Sequence, residues 1–214
     1  MKFIGKLIEY FFNNQDMEIF KMSGKNLVKS VIDASNYIFN RKLVSGKAGN
    51  VSARFKDHEM DIVAITPTGI SLADVNQENV VLVDLNGNYL SRGQPSSELF
   101  LHLEIYKNRP DVMGIVHTHS PYATGFSFSD KKIRRLEGFG EIKKHYLEEL
   151  EYQKPGSREL AQETAAKMID EDVIILKNHG VVASGINVKE AASLAEFVEE
   201  IAKTQFVSHI LNIK

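Results

Sequence analysis

Two histidines stand two residues apart, directly after an apolar run, in the stretch GIVHTHSPYAT at residues 114–124. If the run is a β-strand, alternate side chains point to the same face, so His117 and His119 project together and Thr118 points away. Two imidazoles on one face of a strand can bind a single metal ion. Alone, such a pair is equally typical of a polar strand end that faces solvent, so further ligands are needed.

A third imidazole and a carboxylate complete a candidate set of ligands. His179 follows the apolar run VIILK, and Gly180 after it permits an unusual backbone that would aim the ring. Glu98 follows two serines in the first turn of a predicted helix, where the helix dipole favours a carboxylate even without a metal. Together these side chains would form a tetrahedral zinc site. His102 lies one helical turn beyond Glu98 and competes with it, and we interpret it as a supporting or core residue.

The composition is that of an ordinary globular chain and limits its partners. A chain of 214 residues is long enough to bury the core of one domain. Its hydrophobic fraction of 43% and charged fraction of 25% are ordinary for a globular protein. The net charge of -2 gives no overall attraction to nucleic acid or to an anionic membrane. The basic run at 131–135 has no interleaved aromatic residues, so we interpret it as a solvated surface and expect no nucleic-acid partner.

The sequence contains no cysteine, which excludes disulfides, thiolate metal sites and a cysteine nucleophile. A reducing compartment fits this composition, so we expect a cytoplasmic protein. Any transition-metal site must then use His, Asp and Glu side chains, a set of ligands that suits zinc.

The first residues predict an amphipathic helix rather than a signal peptide, since charged residues interrupt the apolar run and no small-residue cleavage site follows. We assign residues 1–22 to an N-terminal amphipathic helix extension and residues 23–214 to the main domain, with the polar stretch 13–26 as the joint. No apolar segment is long enough to cross a bilayer. The apolar positions at helical spacing are Phe3, Ile4, Leu7, Ile8, Phe11 and Phe12.

The remaining patterns mix helices with strands and hairpins. Periodicity predicts helices at 23–41, 95–110, 157–169 and 188–211. Strands or hairpins are predicted at 50–55, 61–67, 80–90, 112–119 and 172–184. Because the strands do not alternate regularly with helices, we expect an α/β fold in which helices cover a central, mainly antiparallel sheet.

Four segments, taken in order and spacing, resemble the class II aldolase/adducin family. They are GNVSAR, ITPTGI, PSSELFLHLEIYKNRPDVMGIVHTHS and NHGVV, and the resemblance extends from about residue 26 to the last residue. Within the family, the pattern is most similar to the fuculose-1-phosphate aldolases. The resemblance implies a three-layer αβα fold around a largely antiparallel sheet. It also implies a homotetramer with active sites at subunit contacts.

The resemblance further implies a site and a reaction. One Zn²⁺ per subunit would be bound by Glu98, His117, His119 and His179, with Glu98 leaving the metal to act as the base. The implied phosphate-binding residues are Asn50, Thr68, Gly69, Ser96 and Ser97. The implied reaction is the reversible cleavage of a ketose 1-phosphate to dihydroxyacetone phosphate and an aldehyde. The residue types agree with it, since a metal stabilises negative charge, a carboxylate moves a proton, and turns and helix starts bind phosphate.

This sequence departs from the family at the acid that protonates the leaving aldehyde. The family uses a tyrosine between the His-x-His strand and the next helix, where this sequence has Glu137, Gly138 and Phe139. A second family tyrosine lies in a C-terminal tail, which we expect to be absent after Lys214. The remaining candidates for the acid are Glu137, Tyr122, Tyr146 and Tyr152.

Three other functions fit the same resemblance. A methylthioribulose-1-phosphate dehydratase has a glutamate in this region and a similar zinc set. A ribulose-5-phosphate 4-epimerase has an aspartate where Glu98 stands, which disfavours it here. An adducin-like interaction module would not need the metal ligands. Since all four candidate ligands are present, we favour a zinc-dependent aldolase acting on a phosphorylated ketose.

Overall fold

The computed structural model describes residues 14–56, 61–136 and 144–213, with side chains from residue 25 onward. In these ranges the helices are Asn14–Asn40 (α1), Leu99–Asn108 (α2), Pro121–Ser127 (α3), Arg158–Lys167 (α4) and Val188–Leu211 (α5). The strands are Asn50–Lys56 (β1), Asp61–Ile65 (β2), Val81–Asp84 (β3), Gly114–Thr118 (β4), Glu148–Leu150 (β5), Val173–Leu176 (β6) and Gly180–Gly185 (β7). A 3-10 turn lies at Leu72–Asp74.

The strands of the described ranges form one sheet in the order β3-β2-β1-β4-β7-β6-β5. Only β5 and β6 pair in parallel among these strands. The register sets Asn50 of β1 opposite His117 of β4, and Thr118 opposite Val181 of β7. The start of β1, the end of β4 and the start of β7 therefore lie together at one end of the three central strands. The predicted, mainly antiparallel sheet is confirmed.

Two hydrophobic cores lie on opposite faces of this sheet. Successive residues of β4 alternate between them, with Val116 in one core and Ile115 in the other. The core that contains Val116 is closed by residues of α1, α3 and α5, and the other by residues of α2 and α4. Helices thus cover both faces, and the predicted three-layer αβα fold is confirmed.

Helix α1 differs from the prediction at its start. It begins at Asn14 rather than at residue 23, so the prediction of a polar joint at 13–26 was wrong for the residues that the structure describes. The boundary between residues 22 and 23 falls inside this helix. The division into an extension and a main domain stays a prediction, and the predicted helix of residues 1–12 lies outside the described residues. Leu27, Val31 and Ile38 are buried, as the helical period predicted.

The shortest elements had no predicted counterpart. Helix α3 has 7 residues and β5 has 3, which is too short for a periodic pattern to stand out. The predicted hairpin at 80–90 turns at Gly87, where φ is 85°, and its return limb is reduced to one bridge between Val83 and Tyr89. Among the helices of the described ranges, none has an apolar stretch that could span a bilayer.

Candidate metal centre

Three imidazoles converge at the end of the central strands, where the start of β1, the end of β4 and the start of β7 lie together. His117 lies in β4, His119 follows the strand, and His179 stands in the turn before β7. The Nε2 atoms of His117 and His119 are 2.9 Å apart, and those of His117 and His179 are 3.3 Å apart. One ring nitrogen from each residue lies within 4.8 Å of the others, which is close enough for one cation to contact all three.

A carboxylate faces the same point from the start of α2. Glu98 Oε2 lies 3.3 Å from His117 Nε2, and Oε1 lies 3.6 Å from His179 Nε2. The sequence placed Glu98 in the first turn of the helix, and the structure corrects this to the N-cap position. The Glu98 carboxylate makes no capping hydrogen bond to the helix backbone, so it can face the imidazoles. Ser96 Oγ accepts the backbone N–H of Glu98 at 3.2 Å.

The backbone around His117 sets the orientation of its ring. Nδ1 lies 3.0 Å from the carbonyl oxygen of Val181, and since a carbonyl only accepts, Nδ1 carries the hydrogen and donates it. In the neutral ring, Nε2 then presents its lone pair to the other imidazoles. A hydrogen bond of this kind is a common way for proteins to fix the tautomer of a metal-binding histidine.

Gly180 is needed here for its small size. A Cβ on it would lie 2.3 Å from the carbonyl oxygen of Thr118 and 3.2 Å from a ring carbon of His117. The prediction that Gly180 supplies an unusual backbone was wrong, because the left-handed residue of this turn is Asn178, with φ of 55°. Any side chain at position 180 would push β7 away from β4 and open the group of imidazoles.

The electrostatics of the site favour a bound cation. Burial lowers the pKa of His117, His119 and His179 to about 4 each, so the three rings are neutral at neutral pH. Neutral imidazole is the form that binds metals. Glu98 Oε1 is buried and has no hydrogen-bond partner among the described residues, which is costly for a carboxylate oxygen. A divalent cation would satisfy both this oxygen and the converging lone pairs, so the residues present fit the predicted metal.

Asn50 lies beside this group and is fully engaged with it. Its Nδ2 donates to Glu98 Oε2 at 2.9 Å, and its Oδ1 lies 2.5 Å from Nε2 of His102. The sequence suggested Asn50 only as a phosphate ligand, and nothing in its spacing pointed to a contact with Glu98. Any phosphate contact by this side-chain amide would have to replace one of these two bonds.

The other predicted phosphate residues lie on two adjoining loops. The backbone N–H of Ser96 donates to the carbonyl of Thr66 at 3.0 Å, which joins the loop at 94–97 to the loop at 66–69. Thr68, Gly69 and Ser97 are exposed, whereas Ser96 is buried. Glu98 follows Ser97 directly, so Ser97 adjoins the metal centre, and the Thr68–Gly69 turn lies on the loop joined to it. These residues provide backbone N–H groups and hydroxyls of the kind that bind phosphate.

The tyrosines predicted as acids have other surroundings. Tyr122 and Tyr146 line a cavity of about 1260 Å³ between α3 and the C-terminal half of α5, and none of the four candidate ligands is in its lining. Tyr152 is 54% exposed. Glu137, together with Gly138 and Phe139, lies outside the described residues.

Comparison with known proteins places this site in a family. Residues 29–206 match the family described as Class II Aldolase and Adducin N-terminal domain. The chain belongs to this family. The predicted resemblance is therefore confirmed, and membership supports an enzyme of the lyase type. Class II aldolases generally use a divalent metal ion, which the three imidazoles could hold.

Individual members of the class II aldolase and adducin family show two named activities. An L-fuculose phosphate aldolase of Methanococcus maripaludis (strain C7) is 43% identical over 183 residues, which are 86% of this chain and 97% of the relative. A 3-oxo-tetronate 4-phosphate decarboxylase of Haemophilus influenzae is 33% identical over 82% of this chain and 85% of the relative. A solved L-fuculose 1-phosphate aldolase superposes with a TM-score of 0.78 at 28% identity, covering 88% of each chain.

Proposed function

We propose that this protein is a zinc-dependent aldolase that reversibly cleaves a ketose 1-phosphate, similar to fuculose 1-phosphate, to dihydroxyacetone phosphate and an aldehyde. The observation that carries the proposal is the convergence of three neutral imidazoles and the Glu98 carboxylate at one point. The similarity to the L-fuculose phosphate aldolase of Methanococcus maripaludis supports the choice of reaction. The proposed metal ligands are Glu98, His117, His119 and His179.

The two carboxylate oxygens of Glu98 have different roles in this proposal. Asn50 holds Oε2, while Oε1 has no hydrogen-bond partner among the described residues. Oε1 takes the proton from the substrate hydroxyl that becomes the aldehyde and delivers it to the carbon that keeps the electron pair when the carbon–carbon bond breaks. A bound zinc ion would supply Lewis-acid stabilisation of the negative charge that develops on the substrate oxygens. The burial of Glu98 and His117 keeps bulk water from competing for that proton.

The phosphate of the substrate would bind at the adjoining loops beside Glu98. The groups proposed are the hydroxyl of Thr68, the N–H of Gly69, and Ser96 and Ser97 just before α2. The backbone N–H of Thr68 already donates to the carbonyl of Gln94 at 3.1 Å, so only its hydroxyl is proposed. We assign the Asn50 side chain first to holding Glu98, and a phosphate contact by Asn50 would follow only if its amide exchanges a bond when substrate binds.

Decarboxylation of a 3-oxo acid phosphate is the second candidate, and the Haemophilus influenzae relative favours it. Both reactions break a carbon–carbon bond next to a carbonyl and leave the electron pair on the carbonyl-bearing fragment, so one site could serve either. The dehydratase, the epimerase and the non-catalytic module remain the further alternatives. The two enzymes each give a different product, and the module gives none.

A product analysis separates these reactions. The purified protein is given zinc and a panel of ketose 1-phosphates and 3-oxo acid phosphates, then assayed again after chelation and after zinc is restored. We expect dihydroxyacetone phosphate from a ketose 1-phosphate, lost on chelation and recovered with zinc. Carbon dioxide from the oxo acids alone would establish the decarboxylase instead. A protein that binds no divalent ion would support the interaction module.

We also propose that the enzyme is a cytoplasmic homotetramer with active sites at subunit contacts. The support for assembly is the apolar surface beyond the middle of α5, where large side chains would otherwise face water. These are Phe206, Ile210, Leu211 and Ile213, which are 45%, 50%, 78% and 63% exposed. Light scattering should give a mass near four times 24.1 kDa, and a monomer mass would contradict the proposal.

A further inference from the structure

A chain of buried hydrogen bonds runs from Glu98 into the layer between the sheet and α2. Asn50 Nδ2 lies 2.9 Å from Glu98 Oε2, and Asn50 Oδ1 lies 2.5 Å from His102 Nε2. His102 Nδ1 lies 2.7 Å from Ser52 Oγ, which lies 2.8 Å from the hydroxyl of Tyr106. All five residues are buried, and Ser52, His102 and Tyr106 are inaccessible to solvent.

Two backbone periodicities bring these side chains together. Asn50 and Ser52 are two residues apart in β1, so they point to the same face of the sheet. Glu98, His102 and Tyr106 follow at intervals of four along α2, so they lie on one side of it. The strand and helix residues then alternate along the chain of bonds, which is why no gap interrupts it.

The Glu98 carboxylate, the first acceptor, determines which group donates and which accepts in each hydrogen bond of this series. A carboxylate only accepts, so the Asn50 NH₂ group faces Glu98 and the Asn50 carbonyl faces His102. His102 Nε2 must then carry the hydrogen and donate it. Burial lowers the pKa of His102 to about 3, so its Nδ1 is a lone pair that accepts from Ser52. Ser52 accepts in turn from Tyr106, whose pKa burial raises well above its usual range.

The end of the chain away from Glu98 is anchored. Arg54 donates from Nη1 to the backbone carbonyl of Tyr106 at 2.8 Å, and its guanidinium lies 5.6 Å from the centre of the Tyr106 ring. The same guanidinium is paired with Asp61 at the start of β2. Tyr106 therefore has a fixed position from which its hydroxyl can orient Ser52.

We propose that His102, Ser52 and Tyr106 are positioning residues which, through Asn50, hold Oε2 of Glu98 and leave Oε1 free to act. This inference rests on the proposed role of Glu98 as the base. Without His102, the Asn50 carbonyl would lose its partner among the described contacts, and the side chains of Asn50 and Glu98 could shift together to another rotamer. Displacing a reacting group by about 1 Å can lower a rate by about 100-fold.

The first test is the tautomer of His102 in the metal-free protein. In ¹⁵N-labelled protein at neutral pH, long-range proton–nitrogen spectra distinguish hydrogen on Nε2 from hydrogen on Nδ1. We expect His102 as the Nε2–H tautomer and His117 as the Nδ1–H tautomer. Hydrogen on Nδ1 of His102 would contradict the donor and acceptor roles assigned to these hydrogen bonds, and with them the proposal. This measurement needs no substrate, so it is informative even if the proposed reaction is wrong.

The second test compares two substitutions of His102 in the zinc-loaded protein. His102→Leu removes both hydrogen bonds, and we expect kcat to fall about 100-fold with KM and bound zinc unchanged. His102→Gln brings an amide NH₂ near the position of Nε2, so it should recover most of kcat. Full kcat in His102→Leu, in an enzyme whose wild type is active, would refute the positioning role and leave the proposed function intact.

Controls distinguish positioning from a general loss of stability. Ser35→Ala removes a buried hydroxyl that donates to the carbonyl of Val31 at 2.7 Å, on the opposite face of the sheet, and should leave kcat unchanged. If His102→Leu fails to fold, Tyr106→Phe deletes only the last hydroxyl and should lower kcat about fivefold, as for one lost hydrogen bond. Loss of bound zinc in these variants, or an equal loss of kcat in Ser35→Ala, would overturn the proposal.

Discussion

Replacing Glu98 by glutamine would separate its role as a base from its structural contacts. Asn50 Nδ2 lies 2.9 Å from Glu98 Oε2, so the new amide must turn its carbonyl towards Asn50, because the opposite orientation would set two NH₂ groups against each other. This orientation keeps the hydrogen bond and the fold. It also places an NH₂ group where Oε1 now lies, 3.6 Å from His179 Nε2.

The size of the effect follows from these two changes. The hydrogen bond to Asn50 is retained, so we expect little change in the free energy of unfolding. The proton acceptor is lost completely, and since a general base contributes about 10²- to 10⁴-fold to a rate, kcat should fall about 1000-fold. Zinc should bind more weakly but still occupy the site at saturating concentration, because the three imidazoles remain.

The assay measures release of dihydroxyacetone phosphate by a coupled reduction, at zinc concentrations that saturate both proteins. Glu104→Gln is the matched control, since Glu104 lies on the same helix and pairs only with Lys107 among the described contacts. The control should keep the wild-type kcat. A Glu98→Gln enzyme with full zinc and kcat within threefold of wild type would refute the assignment of Glu98 as the base.

Three further predictions concern the metal site and its supports. His117→Ala and His179→Ala should each lower zinc occupancy after dialysis, as measured by atomic absorption, and unchanged zinc in both would refute the ligand set. Gly180→Ala should bind zinc poorly or fold poorly, because its Cβ would lie 2.3 Å from the carbonyl oxygen of Thr118, and normal zinc content and thermal stability would contradict the packing described. The metal-free protein should lose stability as the pH falls from about 6.5 to about 4, because burial lowers the pKa of His117 to about 4 and the unfolded chain then binds more protons than the folded one. Urea unfolding with a chelator present should show a loss of at least about 2 kcal/mol between pH 7 and pH 5, and equal stability at the two pH values would contradict this.

Properties that repeat over a few residues could be predicted from the sequence. The two-residue interval between His117 and His119 determines that both side chains leave the strand on one face, whatever lies around them. The apolar periods after residue 41 likewise predicted the longer helices and strands, and the hairpins predicted a mainly antiparallel sheet. Glu98 was found from its place beside two serines, although its helix starts at Leu99 rather than at residue 95 as predicted.

Contacts between distant segments were decided only by the tertiary structure. His179 reaches His117 because β7 pairs with β4, an order of strands that local periodicity does not contain. Gly180 is required by the carbonyl of Thr118 on that neighbouring strand, and the sequence offered a different reason for it. Periodicity reports which face a side chain occupies, because that depends on the local backbone. The partner that it meets there depends on how the whole chain packs, and so the bonds of Asn50 to Glu98 and His102 appear only in the folded protein.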